Sequence, residues 1–315
     1  MKITVLDANT LGTDLDLSRL STVGDVSVYD YTEPHEIEER IKDTDVVVLN
    51  KIKLNESNLS NAKKLKLICI TATGYDNIDV NYCNTRNITV SNIIGYSTNS
   101  VAQVTVATVL ELATHIREYS RYVSSGDYTK SGAANKVSPV FHELSGKTWG
   151  VIGLGNIGKK VAAIASAFGC RVIAFKRTPD PDYECTDLET LCKTSDIISI
   201  HTPLNDSTRG LIGNKEIELM KDNVILYNAA RGAVTDEVAV ADAILSGKIA
   251  AFGCDVYSIE PFPEAHPMHN ISTLDNVCLT PHMAWASFEA RDLCIDEVIL
   301  NINAYKNGTP RNSVN

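Results

Sequence analysis

The segment that most constrains the fold is Thr148-Trp149-Gly150-Val151-Ile152-Gly153-Leu154-Gly155-Asn156-Ile157-Gly158. A short apolar run, strand-like in length, passes through three glycines in G-x-G-x-x-G spacing straight into a helical stretch, Ile157 to Phe168. In such a strand–turn–helix unit the first glycine permits the tight turn and the second lets a pyrophosphate approach backbone N–H groups. The third allows the helix to lie close on the strand. Gly153, Gly155 and Gly158 are therefore candidate dinucleotide-binding positions, set against the alternative of a merely structural glycine turn.

The remaining apolar runs form two series. The first holds Ile3 to Leu6, Val26 to Tyr29, Val46 to Leu49, Leu67 to Ile70 and Ile88 to Val90. The second runs from Thr148 to Ile152 through Arg171 to Phe175, Asp196 to Ile200, Asn223 to Tyr227, Ala250 to Cys254 and Val277 to Leu279. Val/Ile-rich runs alternating with helical segments, such as Asp236 to Leu245, are what parallel sheets covered on both faces require. A chain of 315 residues, 44% hydrophobic, is long enough for two cores. The expected fold class is α/β, with two doubly wound parallel-sheet domains and a cleft between them.

Ser100 and Gln103 have capping-box spacing ahead of an apolar stretch reaching about Ile116, which predicts a buried linking helix. Ile295, Val298, Ile299 and Ile302 have the spacing of one helix face, and this helix returns the chain to the first domain. Residues 1–99 and 286–315 then make one domain, 100–285 are inserted in it, and hinges fall near Ser97 and Trp285.

A net charge of −10 opposes the uniformly basic field used to bind nucleic acid or anionic membranes. Among the eight cysteines, Cys69, Cys170, Cys254 and Cys278 lie in apolar, strand-like stretches, and no pair shows zinc-ligand spacing. They read as reduced core residues. The first residues lack the long apolar segment of a signal peptide, and no run approaches the length of a membrane span, so a soluble cytoplasmic protein is expected.

Three polar positions stand at strand ends or turns behind the glycine segment: Arg231 in Asn228-Ala229-Ala230-Arg231-Gly232, Glu260 in Asp255-Val256-Tyr257-Ser258-Ile259-Glu260-Pro261, and His282 in Thr280-Pro281-His282-Met283-Ala284-Trp285. A guanidinium holds a carboxylate with two parallel hydrogen bonds. An imidazolium can protonate a developing alkoxide, and a neighbouring carboxylate orients the ring and favours its charged form. Taken singly, each has a blander reading: Arg231 paired with Asp236 or Glu237, and His282 bonded to backbone. His201, His266 and His269 lack such companions and are left out of the chemistry. The loop Thr71-Ala72-Thr73-Gly74-Tyr75-Asp76 ends a first-domain strand and offers backbone N–H groups to an anion.

The strand Val172 to Phe175 ends in Lys176-Arg177-Thr178, where NAD-binding versions of the motif place an acidic residue. Two cations and a hydroxyl suit a 2′-phosphate, which favours NADP. The alternative is a solvated basic pair, with Asp180 or Asp182 reaching the ribose.

Taken in order, Ala72-Thr73-Gly74-Tyr75-Asp76-Asn77-Ile78-Asp79, Gly153 to Gly158, Ala230-Arg231-Gly232, Asp255 to Pro261 and Pro281-His282 resemble the D-isomer-specific 2-hydroxyacid dehydrogenases over essentially the full length. The resemblance implies a flavodoxin-like substrate-binding domain and an inserted Rossmann domain for NAD(P). It implies that Arg231 binds the substrate carboxylate, that His282 is the acid/base and that Glu260 pairs with it. Around the cofactor it implies Thr73, Asn156, Ile157, Thr202, Pro203, Ala229, Ala230, Arg231, Asp255, His282 and Trp285, with Asp255 near the nicotinamide carboxamide. Family members are usually homodimers joined through their nucleotide-binding domains. Lys176 departs from the aspartate common in NAD-using relatives.

Asn50-Lys51, Ser100 to Gln103 and Pro281 to Ser287 look most like glycerate dehydrogenases, also called hydroxypyruvate reductases. The expected reaction is reversible reduction of a small 2-oxo acid, hydroxypyruvate or glyoxylate favoured, with Arg231 and the Ala72–Tyr75 loop on the carboxylate and no metal. Pyruvate, branched or aromatic 2-oxo acids are the alternatives. Formate dehydrogenases share the fold but resemble versions with glutamine beside the histidine, against Glu260 here. A nucleotide-sensing corepressor resembling the C-terminal-binding proteins is the rival from another class.

Overall fold

In the computed structural model, which describes residues Met1–Asn315, the apolar runs become eleven strands, all paired in parallel. The chain divides into two units, Met1–Ser97 with Ala286–Asn315, and Thr98–Trp285. No helix is long and apolar enough to cross a membrane.

The first unit holds β1 (Lys2–Val5), β2 (Asp25–Val28), β3 (Val46–Leu49), β4 (Leu67–Ile70) and β5 (Thr89–Ser91), in the order β2-β1-β3-β4-β5. This is the flavodoxin-like order. β3 and β4 have no exposed side chain, as strands covered on both faces must. β2 lies at the edge and is largely exposed. The helix Phe288–Lys306 belongs to this unit: it starts at Ser287, whose Oγ accepts from Ala290 N–H (3.3 Å), and packs on β4. Cys294, Ile295, Val298 and Ile302 form its fully buried face, while Ile299 is half-buried.

The second unit holds β6 (Thr148–Ile152), β7 (Arg171–Phe175), β8 (Ile197–Ile200), β9 (Ile225–Asn228), β10 (Ala251–Cys254) and β11 (Val277–Leu279), in the order β11-β10-β9-β8-β6-β7. The order reverses between β6 and β8, the topological switch point where doubly wound sheets bind ligands. Beyond β7, where a longer Rossmann sheet adds a strand, there is one bridge, Ala174 to Cys185. Pro179 and Pro181 remove two backbone donors from the connecting stretch. Trp149 is fully buried in β6 and its Nε1–H donates to Ser199 Oγ of β8 (2.9 Å).

Two local expectations are corrected. The linking helix begins at Thr98, so Ser100 lies within its first turn and does not cap it; the Ser100 hydroxyl donates to Ala284 O (2.6 Å). The helix also stops at Thr114, short of Ile116, because His115 takes a left-handed conformation (φ +53) and a separate helix, Ile116–Ser124, follows. Within the unit, Thr98–Thr114 packs on the helix Asn156–Ala167 and on β9 and β10.

Candidate active site

At the switch point the three glycines play three different parts. Gly153 has φ +93, and a β-carbon there would lie 2.6 Å from Thr202 N and 2.7 Å from His201 C. The turn after β6 is thus pressed against the residues after β8. At Gly158 a β-carbon would come 2.1 Å from Gly153 O, so the helix Asn156–Ala167 rests directly on the turn. Gly155 meets nothing within 4 Å: no protein atom requires a glycine there, and the open space at the helix start fits an approaching pyrophosphate. Asn156 and Ile157 open the helix, while Thr202 and Pro203 follow β8.

At the end of β7, Lys176 Nζ lies 3.4 Å from Asp180 Oδ2, and Lys159 Nζ lies 2.7 Å from the same oxygen. Hydrogen bonding to Lys159, more than its partial desolvation, holds the Asp180 carboxyl below its usual range. That carboxylate is committed to the two lysines. Arg177 and Thr178 are exposed, and Arg177 enters no ion pair.

After β9, the buried Asn228 braces the turn carrying Arg231: its Oδ1 accepts from Ala230 N–H (2.9 Å) and its Nδ2–H donates to Arg231 O (3.0 Å). Ala229 and Ala230 lie in this turn, and Arg231 Nη1–H donates to Ala230 O (2.8 Å). The suggested structural partners of Arg231 are engaged elsewhere. Asp236 caps the helix Glu237–Leu245 through Val238 and Ala239 N–H (both 3.1 Å), and Glu237 binds Ser258 and His266.

His282 Nδ1 stands 2.6 Å from Glu260 Oε2, and Glu260 Oε1 accepts from Tyr257 N–H (2.9 Å). His282 itself has φ +53. Its turn is held by Asp255, only 2% exposed, whose Oδ1 accepts from Thr280 Oγ1–H (2.6 Å) and Met283 N–H (2.9 Å) and whose Oδ2 accepts from Ala284 N–H (2.8 Å). Burial nevertheless raises the Asp255 carboxyl above its usual range. Trp285 Nε1–H closes the turn on His282 O (3.0 Å). Arg231, Glu260, His282, Asp255 and Trp285 thus lie in one unit, on the loops after β9, β10 and β11.

Sequence reasoning placed Asp255 beside a cofactor and missed its grip on the His282 turn. An aspartate directly after a buried strand, ahead of a turn that needs its amides satisfied, is the signal that was present. The bracing by Asn228 was also missed. His201, after β8, is half-buried, but both its ring nitrogens are enclosed and lack a hydrogen bond, and desolvation pushes its pKa down to about 3. No cluster of three or more His, Cys, Asp or Glu side chains can hold a metal ion.

In the first unit, the loop after β4 is tied to its own sheet. Thr73 Oγ1–H donates to Ile93 O (2.7 Å), Asn92 Nδ2–H to Thr73 O (2.7 Å) and Ile93 N–H to Ala72 O (3.0 Å). Thr73 and Tyr75 are exposed, and Ala72 and Gly74 are half-buried.

A parallel sheet with an open glycine turn at its switch point, and a histidine–glutamate pair on neighbouring loops, is the layout of a nicotinamide-dependent oxidoreductase. Residues 106–284 match the model of the D-isomer specific 2-hydroxyacid dehydrogenase NAD binding domain, and the chain belongs to the D-isomer-specific 2-hydroxyacid dehydrogenase family. It is 36% identical over 324 residues to a hydroxypyruvate reductase of Blautia hydrogenotrophica, covering 100% of both chains. It is 39% identical over 286 residues to a glyoxylate reductase of Thermococcus litoralis, covering 88% of this chain and 85% of that one. The solved structure of an acyclic imino acid reductase in complex with NADPH and D-Arg superposes with a TM-score of 0.88 at 30% identity, covering 100% of each chain.

Proposed function

We propose that this chain reversibly reduces hydroxypyruvate or glyoxylate to the D-2-hydroxy acid with NAD(P)H, and that Arg231, Glu260 and His282 carry the chemistry. The observation that carries the reading is the 2.6 Å contact between His282 Nδ1 and Glu260 Oε2. With Nδ1 held by the carboxylate, Nε2 is the nitrogen assigned to the substrate. The bound nicotinamide supplies the hydride that reduces the 2-carbon. His282 Nε2–H gives its proton to the carbonyl oxygen as negative charge develops there, and Glu260 stabilises the imidazolium beforehand. Arg231 takes the substrate carboxylate in its planar fork. We assign 1–99 and 286–315 to substrate binding, with backbone N–H groups at Ala72 to Tyr75 on the carboxylate, and 100–285 to the dinucleotide.

The preference for these two acids rests on the activities for which the relatives are named, and the preference for NADP on Lys176, Arg177 and Thr178. Asp180, pledged to Lys159 and Lys176, is poorly placed to serve a ribose, and the unpaired Arg177 suits a 2′-phosphate. We place the enzyme in the reducing cytoplasm, in keeping with its eight free cysteines. It is proposed to act as a homodimer through the second unit, where Ile116, Val123, Val137, Val140 and Phe141 expose apolar surface.

The test is a panel of hydroxypyruvate, glyoxylate, pyruvate and branched or aromatic 2-oxo acids, assayed separately with NADH and NADPH. The highest kcat/KM is expected with hydroxypyruvate or glyoxylate and NADPH. Turnover of none of these acids would overturn the reading, and a branched or aromatic preference would replace its substrate.

A further inference from the structure

Two glutamate–histidine pairs hang from two consecutive amides. Tyr257 N–H donates to Glu260 Oε1 (2.9 Å), and Glu260 meets His282. The next amide, Ser258 N–H, donates to Glu237 Oε1 (2.9 Å), and Glu237 Oε2 lies 3.1 Å from His266 Nε2. The Ser258 hydroxyl also donates to Glu237 Oε2. We propose that Glu237, Ser258 and His266 form a positioning network that fixes the Tyr257–Ser258 peptide, and through it the pairing of Glu260 with His282. The proposal rests on the reading that Glu260 and His282 are the acid–base pair.

The second pair is enclosed, with side-chain exposures of 5% for His266 and 9% for Glu237. Met268 N–H donates to His266 Nδ1 (3.3 Å), so the ring's proton is on Nε2, pointing at Glu237. Glu237 thereby receives three donors: an amide, a hydroxyl and an imidazole N–H. A buried carboxylate needs that many partners, and simple packing at this spot would be served by an apolar side chain. Phe262 stacks on His266 at 5.2 Å and 26°, and Tyr257 meets Phe262 edge-on at 4.7 Å. The loop is therefore clamped from both of its consecutive residues.

The same peptide bears on Arg231. A β-carbon at Gly232 would lie 2.1 Å from Tyr257 C and 2.1 Å from Ser258 N, so the turn carrying Arg231 rests on it without room for one carbon. A shift of the peptide moves Glu260 directly and the Arg231 turn with it. Displacements near 1 Å in such constellations cost about 100-fold in rate.

The test uses the full-length protein and the variants Glu237→Gln and Ser258→Ala. Four quantities are read: kcat and KM for the 2-oxo acid, the dinucleotide Kd by fluorescence, Tm, and the pH titration of the His282 ring by NMR, assigned by its loss in His282→Ala. Glu237→Gln is expected to lower kcat about 10- to 100-fold with Kd within about twofold, the scale of a misplaced catalytic group. The His282 ring titration is expected to move from its wild-type position, because Glu260 is drawn from the ring while the Asp255 carboxylate keeps its Thr280, Met283 and Ala284 donors. Ser258→Ala, which keeps the amide, is expected to show a smaller change in the same direction. Wild-type kcat with an unmoved His282 titration would overturn the proposal, as would kcat, Kd and Tm all failing together while the titration stays put. Should Glu237→Gln not fold, Ser258→Ala decides by the same criteria. Should the wild type reduce no 2-oxo acid, the functional reading fails, and the titration, which needs no turnover, still decides the network.

Discussion

Glu260 Oε2 lies 2.6 Å from His282 Nδ1 although His282 occupies the left-handed region, φ +53. That conformation costs a non-glycine residue about 1–3 kcal/mol and persists where its surroundings impose it. Asp255 imposes it here, accepting from Thr280 Oγ1 and from the successive amides of Met283 and Ala284. The strain aims the ring at Glu260.

Replacing Glu260 by Gln is therefore expected to separate orientation from fold. The Gln carbonyl still accepts from Tyr257 N–H, while its amide turns a donor towards Nδ1 and disfavours the imidazolium. A fall in kcat of about 100-fold with Tm unchanged is expected, and His282→Ala should lose about 100- to 10,000-fold, the span of general acid catalysis. Steady-state kinetics at pH 7 decide; near wild-type turnover in either variant would remove these residues from the chemistry.

The glycines separate in the same way. Alanine at Gly153 or Gly158 collides with backbone at 2.6 Å or 2.1 Å, so both variants should lose stability or fail to fold. Alanine at Gly155 meets no protein atom within 4 Å and its φ of −84 suits any residue, so Tm should hold. Dinucleotide affinity alone should fall, by about tenfold or more, because the methyl group enters the space assigned to the pyrophosphate. Thermal unfolding and fluorescence titration measure the two effects, and a Gly155→Ala protein binding the dinucleotide normally would move the cradle elsewhere.

The proposed preference for NADP rests on Lys176 and Arg177. Each contact to a 2′-phosphate is a charge-assisted hydrogen bond worth about 1.5–3 kcal/mol. Arg177→Ala should weaken NADPH about 10- to 100-fold with little change in NADH, on the same per-contact scale. Lys176→Asp should reverse the preference, since a carboxylate repels the phosphate and accepts from ribose hydroxyls. Equal effects of Arg177→Ala on both nucleotides would show that the basic pair is only a solvated strand end.

What was legible in the chain follows from the range of the interactions. Apolar runs such as Val46–Leu49 and Leu67–Ile70 announce buried strands because burial on both faces is a local compositional demand. The glycine spacing announces a turn because helix, strand and turn are adjacent in sequence. Arg231, Glu260 and His282 could be singled out by side-chain type and by their places after strands. Contacts between distant loops were not legible: Ser258 is 21 positions from Glu237, and Ser100 is 184 from Ala284. Capping-box spacing at Ser100 was outcompeted by that distant carbonyl, and the helix break at His115 depends on a left-handed residue that no glycine advertises.

His201 supplies a stability test with a definite sign. Desolvation of its ring nitrogens, which are buried without a hydrogen-bond partner, lowers its pKa from the ordinary 6.5 to about 3. Between those values the unfolded chain binds a proton that the native state refuses, so unfolding becomes easier as pH falls from 6.5 towards 3. The slope for one such group is roughly 1.4 kcal/mol per pH unit. Lowered carboxylates such as Asp180 also lose stabilisation on acidification, whereas the raised Asp7 and Asp255 act in the opposite sense. Comparison with a variant is therefore required. His201→Leu should unfold in urea with a midpoint that falls less steeply below pH 6.5 than that of the wild type, the two curves keeping a constant separation above it. Parallel curves through the whole acid range would mean that the native protein admits a proton at His201, and that its burial is relieved by local opening before the fold is lost.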